Sequence, residues 1–142
     1  MSDQPPADHL KAQGRALIRE AALVAGKWIP VGDDAIKVHS PADGSLLGRV
    51  PKLSAAQVDQ AIDAAAGAFP AWARTKGKTR GEILARWAAL VTQNEDGLAA
   101  LISLENGKPW KEALGEVRYA NSFISWFAGM AERLDGKAIE SP

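Results

Sequence analysis

Apolar and polar positions change period twice along this chain, and the changes divide it into three zones. From about residue 9 to residue 52 a short helical stretch gives way to strand-like text. Leu23-Val24 and Trp28-Ile29 flank Ala25-Gly26-Lys27, which predicts a hairpin with Gly26 in the turn, where a residue without Cβ tolerates positive φ. Val31-Gly32-Asp33-Asp34 predicts a second turn. Ile36 and Val38 then alternate with Lys37 and His39, the period of a half-buried strand. Pro41-Ala42-Asp43-Gly44 is a third turn, leading into a strand over Leu46-Leu47-Gly48-Arg49-Val50 that Pro51 stops.

Residues 54–106 read as helical. Ser54 and Gln57 form a capping box, each side chain satisfying the other's free backbone N–H, and Val58, Ile62, Ala65 and Phe69 follow on one face. Gly67 and Pro70 predict an end to this helix nearby. Thr79 with Glu82 repeats the capping pattern ahead of Ile83, Leu84, Trp87, Leu90 and Val91. Leu98, Leu101 and Ile102 make a shorter stripe, closed by Asn106-Gly107-Lys108-Pro109 with Gly as C-terminal cap. The third zone is one long helix over about residues 110–134, ended by Gly136, with Tyr119, Phe123, Trp126, Phe127 and Met130 along one face. From spacing alone, that face is the core-packing side.

Composition narrows the function classes. Of 142 residues 46% are hydrophobic and 24% charged, with 17 basic against 17 acidic side chains. A net charge of zero supplies no attraction toward nucleic acid or an acidic membrane, so neither is expected as partner. The chain has no cysteine, which removes disulfides, thiolate metal sites and a cysteine nucleophile. His9 and His39 are too few to build a metal site. No apolar run approaches the roughly 20 residues that cross a bilayer, and Met1 to Asp8 is polar with Pro5 and Pro6, unlike a signal peptide. A cytoplasmic protein is expected.

Candidate chemistry is sparse. There is no nucleophile elbow, no phosphate-cradling loop and no dinucleotide turn between a strand and a helix. The glycines Gly44 and Gly48 belong to a tight turn, and Glu112 and Glu116, one helical turn apart, read as a solvated face. His39, without an acidic or nucleophilic neighbour, is structural or exposed. The residues alone thus describe an α+β module without an active site.

Several stretches, in order, resemble one family. Gly26-Lys27-Trp28-Ile29, Ser40-Pro41-Ala42-Asp43-Gly44 and Leu47-Gly48-Arg49-Val50-Pro51 are similar to the opening of the NAD(P)-dependent aldehyde dehydrogenases. Val58 to Trp72 resembles that family's "A-x-x-A-F-x-x-W" helix, and Leu104-Glu105-Asn106-Gly107-Lys108-Pro109 its "E-x-G-K-P" segment. Gly115-Glu116-Val117, Tyr119-Ala120 and Ser122 to Ala128 look most like the succinate-semialdehyde branch.

The resemblance implies an α/β, Rossmann-like parent with nucleotide-binding and catalytic domains and an oligomerisation arm. This chain would be an α+β fragment of it, β-hairpins followed by four helices. Residues 1–20 would be an N-terminal arm, 21–138 an incomplete cofactor domain, and 139–142 the start of an oligomerisation strand. In such a parent a cysteine thiolate attacks the aldehyde, an asparagine amide and a backbone N–H hold the oxyanion, and a glutamate activates water. All three side chains lie in family segments beyond Pro142, as do the cofactor contacts. The resemblance therefore implies no catalytic or cofactor-binding residue here, no NAD or NADP bound by this chain alone, and no turnover by it.

Two peripheral sites are implied. Tyr119, Phe123 and Trp126 match the helix that lines the family's substrate-entry tunnel, and Val38, His39 and Glu105 match part of a monovalent-cation site. The parent is expected to be a homo-oligomer, dimer or tetramer. The fragment is expected to leave apolar patches along helix 110–134 and to self-associate or dock on the missing domain. The alternative expectation is a non-catalytic interaction module, or split subunit, docking on another chain.

Overall fold

The computed structural model describes residues 6–133. A helix α1 (Asp8–Ala16) is followed by two hairpins, β1 (Ala21–Val24) with β2 (Lys27–Pro30) and β3 (Ile36–His39) with β4 (Leu46–Val50). Four helices complete the described chain: α2 (Ala55–Arg74), α3 (Gly77–Gln93), α4 (Glu95–Asn106) and α5 (Trp110–Met130). This is the α+β arrangement expected, two separate antiparallel two-stranded sheets ahead of a helical layer.

Local chemistry explains the hairpins. Ala25 and Gly26 both take positive φ, 50° and 77°, the two-residue turn whose twist matches the flanking strands. In the second hairpin Gly44 has φ 71°. The turn is closed by Gly44 N–H on the Ser40 carbonyl and Ser45 N–H on the Asp43 carboxylate. A bulge between Val38 and His39 breaks the register opposite Leu47, and Leu47 is buried. Ile36, expected on the buried side of its strand, is instead exposed, as is Val50 paired with it.

The helices depart from expectation in three places. The Ser54–Gln57 capping box forms as predicted, but α2 runs through Gly67 and Pro70 to Arg74. Proline deprives the Ala66 carbonyl of a donor, yet Ala66 is exposed and water can serve it. α3 begins at Gly77 with Lys76 as N-cap and no side-chain cap. Thr79 therefore lies inside the first turn, and the Thr79–Glu82 box does not form. α5 ends at Met130; Gly136 and residues 139–142 lie outside the described residues.

The core is built from small side chains. Ala99, Ala113 and Val117 form its centre, with Val91, Leu98, Ile102, Trp110 and Leu114 packed around them. α3 packs along α5, α5 along α4, and α4 along α1. Glycines permit the close crossings: a Cβ on Gly14 would stand 3.0 Å from the Gly97 carbonyl oxygen, and one on Gly81 would stand 2.9 Å from that of Ala128. With about 100° of rotation per residue, Ala113, Val117, Asn121, Ile124 and Ala128 form the inward stripe of α5. The aromatic stripe is then turned well over 100° away. Tyr119, Phe123, Trp126 and Phe127 are accordingly exposed. Spacing alone assigned the core to that stripe; the packing of α5 against α3 and α4 through its small-residue stripe reverses the assignment.

Candidate functional site

The aromatic face of α5 is the first candidate surface. Tyr119 and Phe123, one turn apart, meet edge to face with centroids 4.9 Å apart at 87°, a favoured geometry for two ring quadrupoles. Phe123, Trp126, Phe127 and Ser122 line one depression. Tyr119 is 68% and Trp126 67% exposed, so the three residues expected in a substrate channel share one open face of one helix. The Ser122 hydroxyl donates back to the Tyr119 carbonyl, 2.7 Å, and is not offered outward.

A second candidate is the cleft where the β3–β4 hairpin faces the last turn of α4. It measures about 180 Å³ and is lined by Leu17, Ile18, Arg19, Val38, Gly48, Arg49, Val50, Leu101 and Glu105. Val38 and Glu105, far apart in sequence, thus share one cleft. The His39 ring does not join them, since its Nδ1 lies 3.0 Å from the Gly44 carbonyl oxygen in the hairpin turn. Arg49 is held by Glu20 through its side chain and its backbone N–H, and Arg19 lies 4.6 Å over the Trp28 ring. Two guanidinium groups against the Glu20 and Glu105 carboxylates leave no excess negative charge for a cation. Among the described residues no group of three His, Cys, Asp or Glu side chains could hold a metal ion.

A third surface is an apolar groove of about 470 Å³ between α3, α4 and α5, with Trp87, Val91, Leu98, Ile102 and Ile124 in its lining. Glu105 and Glu116 stand at its edge, Glu116 in an ion pair with Lys108. Asn121, also in the lining, crosses to α3 by donating to the Ala88 carbonyl (3.2 Å) and the Thr92 hydroxyl (2.9 Å). Sequence reasoning missed this clamp. The available signal was one amide interrupting the stripe of Ala113, Val117 and Ile124. Glu95 and Arg118 tie α4 to α5 by two parallel hydrogen bonds. The guanidinium holds the Glu95 carboxyl below its ordinary value and is itself raised by it. Asp43 is likewise lowered, first by the Ser45 backbone N–H.

The one strand-to-helix junction among the described residues does not have the form of a dinucleotide site. Dinucleotide sites place phosphate on free N–H groups where a strand turns into a helix through glycines. Here β4 enters α2 through Pro51-Lys52-Leu53-Ser54, and the Ser54–Gln57 box already occupies that helix N-terminus. No helix among the described residues is long and apolar enough to cross a membrane.

Known proteins share both the sequence and this arrangement. Residues 28–142 match the model of the aldehyde dehydrogenase family. An NADP(+) succinate-semialdehyde dehydrogenase of Escherichia coli is 44% identical over 92% of this chain and 27% of its own length. A glutarate-semialdehyde dehydrogenase of Pseudomonas aeruginosa is 44% identical over 87% of this chain and 26% of its own. The crystal structure of an aldehyde dehydrogenase from Brucella melitensis biovar abortus superposes with a TM-score of 0.84 at 47% identity, covering 89% of this chain and 26% of that one. The chain thus spans about a quarter of the length of the relatives it matches. The two hairpins and the helices that follow are the N-terminal part of a larger fold, and the chain belongs to the aldehyde dehydrogenase family.

Proposed function

We propose that this chain is the N-terminal scaffold of an enzyme that oxidises succinate semialdehyde, or a close ω-anionic aldehyde, to the carboxylate with NAD or NADP. The observation that carries this reading is the 44% identity to succinate- and glutarate-semialdehyde dehydrogenases over nearly the whole chain. In this reading the nucleophile, the water-activating base and the cofactor contacts belong to sequence outside the chain. The isolated 142 residues therefore bind no nicotinamide and turn over no aldehyde.

The role of this part is to position. Tyr119, Phe123 and Trp126 present one wall of the aldehyde's entry channel. The Val38 and His39 carbonyls and the Glu105 carboxylate are this chain's share of a monovalent-cation site, completed by groups from elsewhere that outweigh the two arginines. Residues 1–20 act as an arm, 21–138 as the opening of the cofactor domain and 139–142 as the start of an oligomerisation strand. The assembled protein is a cytoplasmic homo-oligomer. Exposure of Val58, Ile62, Phe69 and Trp72 on α2 and of the aromatic stripe on α5 supports docking on the rest of the fold, and the same surfaces would serve a split subunit.

Two assays test the proposal. The purified chain is mixed with succinate semialdehyde and either nicotinamide, and reduced cofactor is followed; no turnover is expected, and turnover free of contaminant would overturn the reading. Second, residues 21–138 replace the matching part of the E. coli relative. A folded chimera should oxidise succinate semialdehyde, and Trp126→Ala in it should raise KM more than it lowers kcat. A folded, cofactor-binding but inactive chimera would sink the scaffold assignment.

A further inference from the structure

We infer that Asn106 is a deamidation site gated by the C-terminal cap of α4. Asn106 is the last residue of α4 and is exposed. The residue after it is Gly107, at φ 72°. Glycine places no Cβ beside its own nitrogen, which is the condition under which that nitrogen most readily reaches the preceding side chain. The step is ring closure: Gly107 N attacks Asn106 Cγ, a C–N bond forms, the Gly107 N–H proton passes through solvent to Nδ2, the Cγ–Nδ2 bond breaks and ammonia leaves. Water then opens the succinimide at either carbonyl, giving aspartate or isoaspartate, with no oxidant or reductant required.

The other two asparagines are held away from this chemistry. The Asn94 amide donates to the Leu90 carbonyl, and that of Asn121 donates to the Ala88 carbonyl and the Thr92 hydroxyl. Each is followed by a residue with a side chain, Glu95 and Ser122. At Asn106 the gate is the backbone. Gly107 N–H donates to the Ser103 carbonyl at 2.9 Å, so its nitrogen is engaged while α4 is capped. Pro41 of the β3–β4 turn brings its Cγ to 3.2 Å from where a Cβ on Gly107 would stand, and braces the cap from outside. When the cap frays, the nitrogen is released and Asn106 leaves helical geometry together.

The product is not neutral for the fold. Either product adds a carboxylate beside Glu105 at the negative end of α4's dipole. Isoaspartate also lengthens the backbone by one carbon inside the turn that sets Lys108 toward Glu116. Conversion would therefore loosen the α4–α5 corner progressively with the protein's age.

The test is peptide mapping of the intact chain after incubation at mildly alkaline pH, native and in urea, reading the mass gain of acid over amide and the isoaspartate content. The peptide carrying Asn106 should convert in both samples, about tenfold more slowly in the native one, which corresponds to about 1.4 kcal/mol for opening the cap. Peptides carrying Asn94 and Asn121 should lag behind it, and Asn106→Gln should abolish the gain. Absence of conversion in urea would overturn the site. Equal rates in native and unfolded chain would overturn the gate.

Discussion

Adding a methyl group at two helical glycines should move stability in opposite directions. In an open helix interior Gly→Ala gains about 0.5–1 kcal/mol, because alanine loses less backbone freedom on folding. Gly115 in α5 is such a position: a Cβ built there meets nothing within 4 Å. Gly81 in α3 is the opposite case. Its Cβ would lie 2.9 Å from the Ala128 carbonyl oxygen and 3.5 Å from the Ala131 methyl. The nearer atom is backbone inside α5, which cannot swing aside, so the helices must separate. Overpacking of this kind costs about 1–3 kcal/mol, more than the propensity gain, and Gly81→Ala should be destabilised by about 1–2 kcal/mol net.

For a chain of this size 1 kcal/mol is worth roughly 3–4 °C. Gly115→Ala should melt about 3 °C higher than wild type and Gly81→Ala about 5 °C lower, by circular dichroism at matched protein concentration. Urea titration should show the same order with unchanged slope. If Gly81→Ala melts higher, α3 and α5 do not approach as described and the small-residue core is misassigned. If Gly115→Ala melts lower, something covers that face of α5 in solution.

Three further outcomes follow from the same geometry. Pro70→Ala should restore the missing donor to the Ala66 carbonyl and stabilise α2 by about 2 kcal/mol after the unfolded chain regains entropy, read as slower amide exchange across 62–74. Glu95→Gln tests the tie to Arg118. The Glu95 pKa is lowered in the fold from 4.5, so its stabilisation is present above that value and is lost as pH falls through the lower folded value. The variant should be less stable than wild type at neutral pH and equal to it in strong acid. A difference independent of pH would show that the carboxylate charge is not what matters. Finally, Trp126→Ser with Phe127→Ser should weaken concentration-dependent association in sedimentation velocity, whereas Trp87→Ser, on the groove between α3, α4 and α5, should do so less if the α5 stripe is the adhesive face.

What was legible in the sequence was what neighbouring residues decide. The Ala25-Gly26 turn, the Ser54–Gln57 box and the Gly107 cap before Pro109 are satisfied within a few residues of chain, so their sequence signals carry over directly. The α2 end and the α3 start failed for a related reason. Pro70 removes one bond and crowds the Ala66 carbonyl, but on an exposed helix that carbonyl can tilt toward water, so the penalty weakens α2 without ending it. The Thr79–Glu82 pattern is a cap only if the chain is not already helical before it, and Gly77 against Ala131 allows the helix to begin earlier. Neither outcome can be read without knowing what lies alongside. The pairing of Val38 with Glu105 in one cleft is equally invisible, since it depends on how a hairpin leans on α4.

The inverted face of α5 has a deeper cause. A large aromatic stripe signals burial somewhere, and periodicity does not say against what. Within this chain the inward positions are fixed by approach distance: α3 and α5 meet where Gly81 faces the backbone at Ala128, and Ala113 and Val117 of α5 close on Ala99 of α4. Large side chains are thereby displaced to the outside, and four of the five tryptophans, Trp28, Trp72, Trp87 and Trp126, are exposed. Isolated exposed apolar residues are ordinary on any protein surface. Contiguous ones along a helix, at core spacing and with core residue types, are what a surface looks like when its burial is completed by atoms from outside the chain. In a chain that spans about a quarter of its relatives' length, the residues close a small core of their own and leave a contiguous apolar stripe of α5 exposed.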